Sequence, residues 1–166
     1  MARPILAVVG LLTMASVGWA DSLTPRGAEG LARADISVVI GGGLDRENPS
    51  ELQLFCADAE RASRFEAALR SAMSARLRAD GIAVVPGSKS GFGVAIYGRP
   101  VEARNCSGRY AVLIELGISN ERYADSSQPV AQRSVLETPA GADLEAAIQA
   151  RVMLWLDDVL RNRRSE

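Results

Sequence analysis

The chain has 166 residues, of which 48% are hydrophobic, 23% charged and 5% aromatic, with 19 basic side chains against 20 acidic ones and a formal charge of -1. That size and mix suit one folded domain, and the balanced charge offers no bulk attraction to a nucleic acid. Histidine is absent altogether, which excludes Ser-His-Asp and Cys-His nucleophiles, HExxH metal centres and histidine-ligated haem.

The chain opens with Arg3, an apolar run from Ile5 to Val17, and Gly18-Trp19-Ala20. A short positive start, a short apolar stretch and small residues before a cut are the marks of an export signal. Cleavage is expected after Ala20, making residues 1–20 a signal peptide. No cysteine stands near residue 20 to carry a lipid, and no later run is apolar enough to span a bilayer. The expectation is a soluble periplasmic or secreted protein. Residues 21–33 contain Pro25, Gly27 and Gly30 without apolar periodicity, and read as a loosely held lead into a single domain over 34–166.

Ile36, Val38 and Ile40 alternate with Asp35, Ser37 and Val39, the period of a strand, which Gly41-Gly42-Gly43 ends. These glycines follow a strand but do not complete GxGxxG or open a helix at once, so they make a turn and not a phosphate loop.

Cys56 and Cys106 are the only cysteines. In an oxidising compartment they are expected to form a disulfide, with no histidine to activate either thiol and no CxxC spacing. The loop of about 50 residues so closed would stabilise the fold by at most about 4 kcal/mol. Asn105-Cys106-Ser107 also fits a glycosylation sequon by chance of spacing.

From Asp58 to Asp80, Ala62, Phe65, Leu69, Ala72, Met73 and Leu77 recur every three or four residues. They predict an amphipathic helix with Asp58 as N-cap and Gly81 as stop. Glu60 with Arg64 and Glu66 with Arg70 have the i, i+4 spacing of a solvated face.

Ile82–Val85, a turn at Pro86-Gly87-Ser88-Lys89-Ser90, and alternating Phe92, Val94 and Ile96 read as a hairpin. The turn carries neither a Walker loop nor, without an SxxK partner, a penicillin-recognising motif. Arg109 to Ser119 is the clearest strand, with Tyr110, Val112, Ile114, Leu116 and Ile118 on one face. A further strand is expected over Val130–Glu137.

The last element, about Ala142 to Arg163, has Leu144, Ala147, Ile148, Val152, Trp155, Val159 and Leu160 at helical spacing. Arg161, Arg163 and Arg164 close it, where positive charge complements the helix dipole.

The order β-α-β-β-β-β-α with single-faced helices predicts an α+β two-layer sandwich. Its sheet is mixed and mostly antiparallel, with both helices on one side and a parallel crossover through residues 42–81.

The helix exit Ala75-Arg76-Leu77-Arg78-Ala79-Asp80-Gly81 running into Ile82-Ala83-Val84-Val85, the strand Tyr110–Ile118 and the closing helix Leu144–Leu160 together resemble small bacterial envelope accessory domains. These are the amino-terminal domain of the TolB translocation protein and the lipoprotein activators of peptidoglycan synthases. The resemblance implies a non-catalytic accessory domain whose partner is another envelope protein. No signature residue carries over.

Neither a cofactor nor a metal is expected, and no catalytic residue stands out. Two other readings stay open. Loops 99–108 and 120–129 could frame a small-ligand pocket with Arg104, Asn105 or Tyr123. Two acids among Asp45, Glu47, Glu51, Glu102, Glu115 and Asp125 could serve a carboxylate-dependent hydrolase.

Overall fold

In a computed structural model, residues 27–41, 55, 58–100, 110–123, 130–138 and 143–163 are described. The elements are β1 (Arg33–Ile40), α1 (Ala59–Ala79), β2 (Ala83–Val84), β3 (Gly91–Pro100), β4 (Tyr110–Ser119), a 3-10 turn (Glu121–Tyr123), β5 (Val130–Thr138) and α2 (Leu144–Arg163). They form the expected α+β two-layer sandwich. One five-stranded sheet, in the order β2-β1-β3-β4-β5, lies against two helices.

Alternation places Ala34, Ile36 and Val38 of β1, Phe92, Val94 and Ile96 of β3, and Tyr110, Val112, Ile114, Leu116 and Ile118 of β4 on the covered face, all buried. From the helix layer come Phe65, Leu69, Met73 and Leu77 of α1, with Leu144, Ile148, Val152, Trp155, Leu156, Val159 and Leu160 of α2. Trp155 meets Phe92 edge to face at 6.2 Å between centroids, a favoured aromatic arrangement.

Helix α1 begins and ends where its sequence says it should. The Asp58 carboxylate accepts the Arg61 N–H at 2.8 Å, and Gly81 has φ +80°, with Ile82 N–H returning to the Leu77 carbonyl at 3.0 Å. A left-handed glycine with that return bond terminates the helix, and the same chain direction feeds β2. Glu60–Arg64 and Glu66–Arg70 are both paired along its exposed side.

Three ion pairs lace the helices together: Arg61–Glu145 at 2.7 Å, Arg76–Asp157 at 2.6 Å and Arg163–Asp80 at 3.2 Å. The terminal arginine therefore does more than answer a dipole. Arg163 also donates to the Leu31 carbonyl at 2.8 Å, fixing the segment before β1. Residues 27–33 accordingly depart from the expected loose lead, since Ala28 and Leu31 are buried and Asn120 holds the Gly27 carbonyl at 2.8 Å.

The hairpin expected over residues 82–98 does not form. β2 and β3 both pair parallel to β1, one on each side of it, so the chain crosses the end of β1 instead of turning back on itself. Asp35 directs this crossing. Its carboxylate accepts the Gly87 N–H at 2.9 Å and its own N–H donates to the Ser90 carbonyl at 2.8 Å. The turn chemistry of Pro86-Gly87 is thereby satisfied without a hairpin ladder. The parallel crossover from β1 through α1 to β2 is present as expected, and the longer ladders, β3 with β4 and β4 with β5, are antiparallel.

Candidate functional site

The short β2 creates the most distinctive surface feature. It pairs with β1 at only two positions, Arg33 with Ala83 and Ala34 with Val84. Val85 N–H then donates to the Ala34 carbonyl at 2.9 Å, and Pro86 turns the chain away. Proline has no N–H to continue a ladder. β1 runs on to Ile40, so its β2-side flank continues beyond its neighbour.

Backbone parity identifies which groups face that flank. Asp35 and Gly41 donate toward β3, to the Ser90 and Ile96 carbonyls, whereas the Ala32 and Ala34 carbonyls accept from β2. Odd-numbered residues of β1 thus bond to β3 and even-numbered ones point the other way, as alternation along a strand requires. At Ile36 both outward groups are taken by side chains: its N–H by Asp35 at 2.7 Å and its carbonyl by Arg70 at 2.7 Å. At Val38 and Ile40, among the described residues, no strand lies on that side.

Beside this flank is a groove of about 610 Å³ between α1 and the sheet edge. Its α1 wall is Ser63, Ala67, Ser71 and Ser74, one helical stripe by spacing, whose short side chains cannot fill the gap that the end of β2 leaves. Ile36 and Val84 give an apolar floor, and Asp35, Glu66 and Arg70 are the charged lining. Those charges are already engaged. Asp35 holds two backbone amides, and Arg70 bridges the Ile36 carbonyl and Glu66, the latter at 3.0 Å.

On the other face of the sheet no helix packs among the described residues, and most of the β3 and β4 residues there are half-buried. Val39 is 50% exposed, and Gly93 stands opposite Gly117 in register, leaving bare backbone at the sheet centre.

The residues singled out from the sequence fall mostly elsewhere. Cys56 and Cys106, Arg104 and Asn105, and the acids Asp45, Glu47, Glu51, Glu102 and Asp125 lie outside the described residues. Glu115 is on β4, in register with Ala95 and Arg133, with no other of those acids beside it in the ladder. Tyr123 ends the 3-10 turn. Among the described residues no group of three or more Asp, Glu, Cys or His side chains could hold a metal, and no helix is long and apolar enough to cross a membrane.

The groove was not legible in the sequence, because it arises from where β2 stops. Phe55 was missed for a different reason. It is buried with a left-handed φ of 59°, held by Phe65 at 5.6 Å and beneath the Arg61 guanidinium at 4.7 Å. An isolated aromatic in an aperiodic segment gives no periodic signal.

No protein-family model matches the chain, and no curated protein matches it. Solved structures similar to it include bacterial lipoproteins. The PelC dodecamer from Paraburkholderia phytofirmans is 12% identical, with 82% of this chain and 94% of that chain covered and a TM-score of 0.44. A minor lipoprotein from Acinetobacter baumannii is 7% identical, with 82% and 88% covered and a TM-score of 0.31. The rare lipoprotein B from Shewanella oneidensis is 10% identical, with 79% and 94% covered and a TM-score of 0.33.

Proposed function

We propose that the chain is an exported, non-catalytic accessory domain of the bacterial envelope that binds an extended segment of another envelope protein in the groove between α1 and β1. The observation that carries this reading is the run of β1 past the end of β2, with the outward backbone groups of Val38 and Ile40 further along β1 from a groove that Asp35, Ile36 and small α1 side chains line. A strand flank with no neighbouring strand among the described residues recognises main chain, and an adjoining groove receives alternate side chains, the division of labour in strand addition. The export-signal pattern of residues 1–20 and the crosslink proposed between Cys56 and Cys106 fit an oxidising compartment.

A small-ligand site is the second reading, since 610 Å³ lies in the usual range for such pockets. The engaged state of Asp35, Glu66 and Arg70 argues for the peptide. A small polar ligand would have to break internal bonds to find partners, whereas an extended backbone finds Val38 and Ile40 already facing it.

The test selects binders from a displayed library of random 12-residue peptides against the mature protein and measures synthetic copies by fluorescence polarisation. Peptides whose binding is lost on Ala67→Trp, which fills the groove, and on N-methylation of alternate peptide amides would support the reading. Selected peptides indifferent to both changes, or none selected, would reject it.

A further inference from the structure

We infer that β5 is a self-association edge, across which two copies of this chain pair antiparallel to make one ten-stranded sheet. β5 is the opposite boundary of the sheet from β2, so this inference is independent of the groove.

The ladder determines which backbone groups the edge presents. Even-numbered residues of β3 face β1, because the Ser90 and Ile96 carbonyls accept from it. Odd-numbered residues of β3 therefore face β4, at Gly91 with Ser119 through Arg99 with Ala111. The even-numbered residues of β4 must then face β5, paired from Tyr110 with Thr138 to Ile118 with Val130. What remains for the outer flank is Ala131, Arg133, Val135 and Glu137. Among the described residues no strand covers that flank. β5 is nine residues long and contains no proline, so it lacks two common devices that keep an edge from pairing, shortness and a missing donor.

Charge selects both the occupant and the register. A two-fold interface sets residue i against j and j against i. With Val135 opposite Val135 of the second copy, Arg133 comes opposite Glu137 at two symmetric positions, and all three are outward-bonding residues. A register centred on Arg133 would oppose like charges. The edge is thus complementary to itself in one alignment.

The experiment measures oligomeric state by sedimentation equilibrium for the mature wild type, R133E and E137R, from about 1 to 100 μM, with circular dichroism to verify folding. The wild type is expected to dimerise. E137R sets Arg133 against arginine twice and R133E sets glutamate against Glu137 twice, so each is expected to weaken dimerisation by about tenfold or more. An equimolar mixture of the two variants restores both opposite-charge pairs and is expected to recover dimers made of one copy of each. R133E also stands in register with Glu115, so any loss of its own fold is read from its circular dichroism, and E137R, in register with Ala111, carries the test alone in that event. A monomeric wild type, variants that dimerise like it, or folded variants whose mixture stays monomeric would each overturn the inference. Peptide binding in the groove is unaffected by any of these results.

Discussion

Arg163→Ala removes the tie that joins three parts of the molecule. The Asp80 side chain it neutralises is 1% exposed, and the arginine itself is 21% exposed. Arg163 gives Asp80 a bond to the carboxylate and another to the main-chain carbonyl, both at 3.2 Å, and gives Leu31 one at 2.8 Å. After the substitution Asp80 keeps Arg76 at 3.8 Å, beyond direct hydrogen-bond reach. Breaking a buried pair from one side costs about 3–5 kcal/mol, because a charge stays behind in a poorly solvated place. The partial exposure of Arg163 and the remaining field of Arg76 put the expected loss near the lower end, about 3 kcal/mol. At roughly 3 °C per kcal/mol for a domain of this size, the midpoint of thermal unfolding should fall by about 9 °C. Urea unfolding followed by circular dichroism measures the free-energy change directly. Arg64→Ala, which breaks only the exposed pair with Glu60, should cost less than about 1 kcal/mol. If the two variants lost the same stability, the Asp80 tie would not be the anchor of the helix ends.

Other outcomes follow from the same contacts. Gly91→Ala should destabilise by about 1–3 kcal/mol, since a Cβ there would lie 2.9 Å from the Asp35 carbonyl oxygen; Gly93→Ala, whose Cβ meets nothing nearer than the Gly117 oxygen at 3.9 Å, is the near-neutral control in the same urea assay. Asp58→Ala should cost about 1 kcal/mol through loss of the N-cap bond to Arg61 N–H. Burial holds the Tyr110 phenol above its ordinary pKa, with the Arg61 charge offsetting part of the effect. The folded protein therefore keeps this proton where the unfolded chain has begun to lose it, near pH 10. The stability linked to it is complete below that pH and drains as pH rises through the folded value. Unfolding measured across that alkaline window should show a shallower decline for Tyr110→Phe than for the wild type.

Local pattern carried most of the fold. The residues Tyr110, Val112, Ile114, Leu116 and Ile118 on one face of β4 are all buried as alternation required, and the cap at Asp58 and the stop at Gly81 bound α1. Pairing between strands was the weak point. The apolar runs on either side of Pro86-Gly87 carry the same signal whether they meet each other or a third strand. Only the long-range bonds of Asp35 to Gly87 and Ser90 decide for β1. The groove inherits that obscurity. Ser63, Ala67, Ser71 and Ser74 read as an unremarkable polar flank of α1, and become a wall only because Pro86 withdraws β2 after two paired residues. The Arg163 tie was hidden likewise, since a basic helix end looks the same in sequence whether it meets water or a buried carboxylate.

Amide hydrogen exchange along β1 tests the proposed strand capture most directly, and needs no ligand. Ser37 and Val39 should exchange slowly, because their N–H groups belong to the ladder with β3, while Val38 and Ile40 exchange faster, and become protected when a groove-dependent peptide is added. Slow exchange at all four positions in the unliganded protein would mean that the β1 flank is already occupied, and would contradict strand capture.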